Sequence, residues 1–178
     1  VIGGQWRRRV IEFAKVEAIR PTPDRIRETL FNWLQHDLHN ARCLELFAGS
    51  GILSVEALSR GAAHCTIVDL SGIIIEQIED NLKRLGATVM QYQCSVSGAQ
   101  LWLANHTEEK FDLIFLDPPF ADDSLEEVVA QCEKLLTAEG YLYVESPEPL
   151  NVEDLPQSLS IYRQKRSGAV NYALLERA

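Results

Sequence analysis

Residues 111–120 read Phe-Asp-Leu-Ile-Phe-Leu-Asp-Pro-Pro-Phe, and they limit the possible fold more than any other stretch. Ile114, Phe115 and Leu116 form a short apolar, β-favouring run, the pattern of a strand buried on both faces of a parallel sheet. The run stops at Asp117, and Pro118 and Pro119 follow. Neither proline can donate to a sheet ladder, and Pro119 biases Pro118 towards extended backbone. A carboxylate, a rigid carbonyl-bearing elbow and the Phe120 ring are therefore expected at the carboxyl end of a central strand. In open α/β sheets ligands bind at that edge.

The rest of the chain supplies such a sheet. A helix is expected from Pro23 onwards, with Thr22 as its N-cap and one apolar stripe of Ile26, Leu30, Trp33 and Leu34. Strands are expected over 43–47, 65–70, 88–92 and 141–145, besides the central one. Helices fall between them over 52–60, 73–85 (closed by Gly86), around 101–103 and over 125–136. Stretches 159–164 and 170–175 read as a terminal hairpin. The fold class implied is a doubly wound, Rossmann-like α/β sheet of seven strands, mostly parallel, with an antiparallel hairpin at one edge. With 178 residues and no linker rich in Pro, Gly or Ser, the chain reads as one domain. Residues 1–20 form an N-terminal hairpin extension in this reading, and 21–178 the catalytic core.

A second motif follows the first strand of that alternation. Phe47-Ala48-Gly49-Ser50-Gly51 lies between a strand and a helix, where glycines admit a ligand close to the backbone. Asp69 ends the next strand, a usual place for an acid that grips ribose hydroxyls. The third glycine of the dinucleotide fingerprint is absent, Ser54 standing in its place, so a dinucleotide and a nucleoside cofactor both remain open. The elbow separates them. An exocyclic amine is a poor nucleophile because its lone pair is delocalised into the ring. Acceptors at Asp117 and the Pro118 carbonyl suit holding its N–H bonds, and Phe120 suits stacking on the base. Amine methylation needs this arrangement and hydride transfer does not.

Charge is unevenly spread. The net of −9 combines +3 over residues 1–28, +3 over 161–178 and −15 between them. A molecule polarised in this way can offer one basic face to a polyanion. Cys43, Cys65, Cys94 and Cys132 are widely spaced and no histidine has ligand spacing, so neither a metal nor a disulfide is expected. No apolar run approaches the ~20 residues of a membrane span, and a cytoplasmic protein with no membrane partner is expected.

The sequence resembles the RsmD-type methyltransferases of bacteria. Ile2-Gly-Gly-x-Trp-Arg7, Arg20-Pro-Thr-x-Asp-Arg-x-Arg-Glu-Thr-Leu-Phe-Asn-Trp-Leu34, Phe47-Ala-Gly-Ser-Gly51, Glu56-Ala-Leu-Ser-Arg60, Asp117-Pro-Pro-Phe120 and Tyr143-Val-Glu145 carry the likeness. It implies a class I methyltransferase that uses S-adenosylmethionine, yields S-adenosylhomocysteine, and methylates the N2 amine of a guanine in 16S ribosomal RNA. Phe47, Ala48, Gly49, Ser50, Gly51, Asp69, Leu70, Ser95 and Asp117 are then cofactor residues. Asp117, Pro118, Pro119 and Phe120 hold the target amine and base. Arg7, Arg8, Arg9, Arg20, Thr22, Arg25, Lys165 and Arg166 face RNA, either naked or in an assembling small-subunit particle, and the protein is expected to be a monomer. Three positions depart from the family pattern: Arg8 replaces a glycine, implying an altered turn, and Ser71 and Ser95 replace acids near the adenosine. Adenine-N6 methylation of DNA, glutamine methylation of protein, nicotinamide-dependent hydride transfer and a non-catalytic RNA-binding role are the rival readings.

Overall fold

The computed structural model describes residues 1–16, 19–119 and 125–178, so Phe120 lies outside the described residues. Helix α1 (Asp24–Trp33) precedes β1 (Arg42–Leu46), α2 (Ile52–Ser59), β2 (His64–Asp69), α3 (Gly72–Leu85) and β3 (Tyr92–Val96). Then come α4 (Ala99–Asn105), β4 (Phe111–Leu116), α5 (Leu125–Lys134), β5 (Leu136–Ser146) and the hairpin β6 (Leu159–Ser167) and β7 (Val170–Arg177). One seven-stranded sheet results, in the order β3-β2-β1-β4-β5-β7-β6. Strands β3 to β5 are parallel neighbours, and β7 runs antiparallel to both β5 and β6. This is the Rossmann-like sheet expected.

Winding reverses between β1 and β4. Leu46 pairs with Leu116, so the carboxyl ends of the two strands adjoin and the glycine turn and the elbow leave the sheet side by side. Apolar side chains on both faces hold the strands. Phe115 and Tyr143 pack with Phe31, Leu30 and Ile78 under α1 to α3, while Leu44 and Ile114 pack with Trp102 and Val128 under α4 and α5. Full burial of each large apolar side chain contributes roughly 1.5–3 kcal/mol.

Several boundaries differ from expectation, each for a local reason. Strand β3 occupies Tyr92–Val96 rather than 88–92. Residues 88–91 instead form a turn, in which Gln91 N–H donates to the Thr88 carbonyl at 2.9 Å and Val89 and Met90 are left exposed. Thr22 does not cap α1; Pro23 is the N-cap and no side chain bonds the helix end, because the Thr22 hydroxyl is used elsewhere. No strand occurs among the described residues of 1–20, so the hairpin extension is not formed. Those residues turn back on α2. Ile2 and Gly3 N–H donate to the buried Glu56 carboxylate at 3.0 and 2.7 Å, and Gln5 and Trp6 N–H bond Ser59 at 2.8 and 2.9 Å. These bonds replace the ladder that a hairpin would have used. Arg8 takes φ +66°, so the turn keeps the left-handed shape a glycine would favour.

Glu56 also accepts from Arg60 Nε at 2.9 Å, so one buried carboxylate satisfies three donors. Glu56→Ala is expected to lower the unfolding free energy by about 3 kcal/mol, since it strands those donors. Urea denaturation measures this; a loss below about 0.5 kcal/mol would contradict it.

Candidate active site

The glycine turn is built by backbone conformation. Phe47, Gly49 and Gly51 have φ of +56°, +56° and +70°. A Cβ at Gly51 would meet the Ile78 side chain at 2.9 Å, which accounts for glycine there, whereas one at Gly49 would meet nothing within 4 Å. The space beside Gly49 is thus open. Ala48 N–H donates to the Val68 carbonyl at 3.1 Å, and the Ser50 hydroxyl accepts from Ile52 N–H at 3.3 Å. Asp69 closes the turn from the neighbouring strand, its two oxygens accepting from Gly49 N–H at 3.0 Å and Ser71 N–H at 2.9 Å. Ser71 caps α3, its hydroxyl accepting from Ile74 N–H at 3.4 Å. That gives the departing serine a structural use. Leu70, Ile73, Val96 and Leu101 are exposed apolar side chains around the ends of β2 and β3. Ser95 lies inside β3 opposite Val68, a consequence of the shifted strand; Ser97, beyond the end, bonds the Asp69 carbonyl at 2.9 Å.

The elbow begins one residue beyond β4. Leu116 pairs with Val144, so Asp117 stands beside Glu145 at the end of β5, about 4.8 Å away across the ladder. Their carboxyls are close enough for each to shift the other's ionisation. Burial, reinforced by the charges of Glu145 and Glu45, pushes the Asp117 carboxyl up to about 8. Burial raises Glu145 as well, against the opposing effect of its donors. Glu145 Oε1 accepts from the Tyr143 hydroxyl at 2.8 Å and the Thr22 hydroxyl at 3.1 Å. Glu45, on β1, is pushed up to about 7 by burial and accepts from both the amide and the hydroxyl of Ser54. Pro118 is buried and Pro119 exposed. Three carboxyls thus gather at the ends of three adjoining strands, a concentration of like charge that a merely structural core avoids.

The residues expected to face RNA divide. Arg7, Arg8 and Arg9 are exposed on the α2–α3 side, Arg9 donating to the Arg84 carbonyl at 3.1 Å. Arg20 and Arg25 are exposed at the entry to α1. Thr22 is not a surface residue: it is buried, and its hydroxyl is spent on Glu145. Lys165 pairs with Tyr172 and Tyr172 with Glu145, so the three share one row and one face, with Lys165 about 10 Å from Glu145. Arg166 points to the opposite face, and its Nε donates to the Gly168 carbonyl at 2.9 Å. Arg163, two residues before Lys165 and on its face, lies over the Tyr162 ring at 4.3 Å; it joins the basic group in place of Arg166.

Sequence reasoning gave no role to Glu45, Tyr143, Glu145 or Arg27. The available signal was compositional. Glu45 stands in Leu-Glu-Leu and Glu145 follows Leu-Tyr-Val, acids within buried strands that otherwise read as apolar. Arg27 is buried on α1; its Nη1 donates to the Thr22 carbonyl at 2.7 Å and its Nη2 pairs with Asp24 at 2.9 Å. It holds the loop whose hydroxyl reaches Glu145.

Comparison with known proteins places the chain in a family and a fold. The family described as conserved hypothetical protein 95 matches residues 1–176. The ribosomal RNA small subunit methyltransferase D of Escherichia coli K12 is 39% identical over 99% of this chain and 89% of its own length. Its namesake in Haemophilus influenzae is 35% identical over 99% and 92%. Among solved structures, yhhF from Escherichia coli superposes with a TM-score of 0.87 at 39% identity, covering 99% of this chain and 96% of that one. SMU.776, solved with S-adenosylhomocysteine, shares the fold alone: TM-score 0.71 at 16% identity over 85% of this chain and 48% of that one.

The raised carboxyl has a consequence for stability. Unfolded, Asp117 ionises near its ordinary value of 3.8; folded, it keeps its proton up to about 8. Between those values the native state binds more protons than the unfolded state, so this group makes stability fall as pH rises. Asp117→Asn removes that dependence. Urea titrations should find the variant more stable than the parent at pH 8, by at least about 1 kcal/mol, with the difference shrinking towards pH 4. A variant less stable than the parent at pH 8 would contradict the assignment.

Proposed function

The chain belongs to the conserved hypothetical protein 95 family, that of the RsmD-type methyltransferases, and from that premise we propose that it methylates the N2 amine of a guanine in small-subunit ribosomal RNA. The observation that supports this most is the adjacency of the Asp117–Pro118 elbow to the glycine turn across the reversal between β1 and β4. The open space beside Gly49 and the exposed apolar side chains at Leu70, Ile73 and Val96 suit an adenosine-bearing cofactor. When bound there, S-adenosylmethionine supplies an electrophilic methyl group and leaves as S-adenosylhomocysteine.

The chain's own residues bind, orient and accept a proton. Phe47 to Gly51 and Asp69 would hold the cofactor, with the exposed Leu70 next to Asp69. Ser95 is set back within its strand, and Ser97 stands just beyond the strand end. Asp117 and the Pro118 carbonyl accept the two N–H bonds of the amine, turning its lone pair out of the base plane. Alignment of this kind removes several kcal/mol from a bimolecular barrier. As nitrogen gains carbon it sheds one proton, and the ionised member of the Asp117–Glu145 pair is the base that receives it. Phe120 lies outside the described residues, and stacking on the base is assigned to it from the sequence motif alone. The target guanine must leave its stack to reach this edge. Arg7, Arg8, Arg9, Arg20 and Arg25 on one side, with Lys165 and Arg163 on the other, would hold the flanking phosphates.

Small-subunit particles, naked small-subunit RNA and DNA, each offered with labelled S-adenosylmethionine, test the reading. Label should enter a guanine N2 of the RNA; label confined to DNA or protein would refute it. Asp117→Ala should lower turnover at least about 10³-fold while keeping the rise in Tm that S-adenosylhomocysteine produces. NAD should produce no such rise. Full turnover in the variant would show that another group holds the amine.

A further inference from the structure

Glu145 has a geometry that holding Asp117 does not by itself require. Its Oε1 accepts from both Tyr143 and Thr22. A carboxylate oxygen has two lone-pair directions, so Oε1 is saturated, and any further contact falls to Oε2. Glu145 also lines a cleft of about 300 Å³, together with Pro118, Pro119, Leu125, Val129 and Leu150. That cleft opens beside the elbow, has apolar walls, and carries the acids Glu126, Glu148 and Asp154 at its rim. Leu125 and Val129 place that cleft on the α5 face, whereas the Glu145 side chain, in one row with Tyr172, lies on the α1 face, so its carboxylate meets a base at the strand ends and not through the cleft walls.

The spacing of the acceptors narrows the choice of ring. Asp117 and Glu145 form one row at neighbouring strand ends, so their oxygens meet an entering edge side by side. Guanine has N–H donors side by side, on N2 and on N1. Adenine sets its amine beside an N1 lone pair, which would confront a carboxylate oxygen. Resting on the guanine-N2 reading above, we infer that Glu145 is a specificity-determining residue: it accepts the N1–H of the target guanine while Asp117 and the Pro118 carbonyl hold the N2 amine. Thr22, Tyr143 and, through the Thr22 carbonyl, Arg27 are positioning residues that fix which oxygen Glu145 presents. The α1 entry loop thereby becomes part of base selection.

Replacement of the target guanine by 2-aminopurine tests this. The analogue keeps the N2 amine but has a lone pair in place of N1–H. Small-subunit particles carrying either base are compared by kcat/KM. The parent protein should prefer guanine by about 10²-fold or more, because a site built to receive a donor rejects the analogue that lacks it. In Glu145→Gln the amide oxygen is engaged by Tyr143 and Thr22 and the NH₂ group takes the place of Oε2. Its preference should collapse to within about fivefold or invert. An unchanged rise in Tm with S-adenosylhomocysteine verifies that the variant is folded. Thr22→Val, which loosens the carboxylate without removing it, should narrow the ratio part-way. Equal use of both bases by the parent, or the parental ratio in a folded Glu145→Gln, would overturn the assignment of Glu145 alone. No methylation of guanine by the parent would instead overturn the function on which it rests.

Discussion

Two carboxyls forced together at adjoining strand ends are what the rest of the site is arranged around. Parallel strands β4 and β5 bring Asp117 and Glu145 into one row, and the packed layers on either face remove most of the water. Both acids cannot be ionised there at ordinary cost, so a proton is retained between them and Asp117 ionises only near 8. A pair that holds one proton can at once accept hydrogen bonds and take up a further proton. The tension also explains the donors gathered around Glu145. Without Tyr143 and Thr22 its charge would lack compensation in a buried setting.

The fold delivers these groups from distant parts of the chain. Thr22 precedes the sheet in sequence, Glu45 and Asp117 come from the strands flanking the reversal point, and Tyr143 and Glu145 come from the strand beyond. Residues 1–9 are tied to α2 through Glu56 and Ser59, which presents Arg7, Arg8 and Arg9 on the helical side. Hairpin β6–β7 extends the sheet the other way and brings Lys165 and Arg163 onto the Glu145 face. Basic residues are thus concentrated towards the two ends of an acidic chain, while Glu45 and Glu145 are buried.

Much of the architecture was legible because its signals are local. The apolar run of β4, the glycines between β1 and α2, and Gly86 closing α3 each act through a few neighbouring residues. What escaped depends on contacts far apart in sequence. Val89 and Met90 look like strand residues, yet the Thr88–Gln91 turn leaves them in solvent and β3 starts later. Thr22 has the composition of a helix cap, but a partner 123 residues away takes its hydroxyl. Side-chain direction was also hidden: Lys165 and Arg166 are neighbours in sequence and opposites in the sheet, which only the pairing register reveals. For the site, the two motifs marked the glycine turn and the elbow that the fold sets side by side, while the acids beside them were single letters inside apolar strands.

Carboxyl-carbon NMR of the protein labelled at Asp and Glu, titrated from pH 3 to 10 with Asp117→Asn and Glu145→Gln used for assignment, tests the central claim most directly. The account predicts that the Asp117 resonance moves only near pH 8, and that removing Glu145's charge shifts that transition downwards. Ionisation of both carboxyls near pH 4, each indifferent to loss of the other, would contradict it.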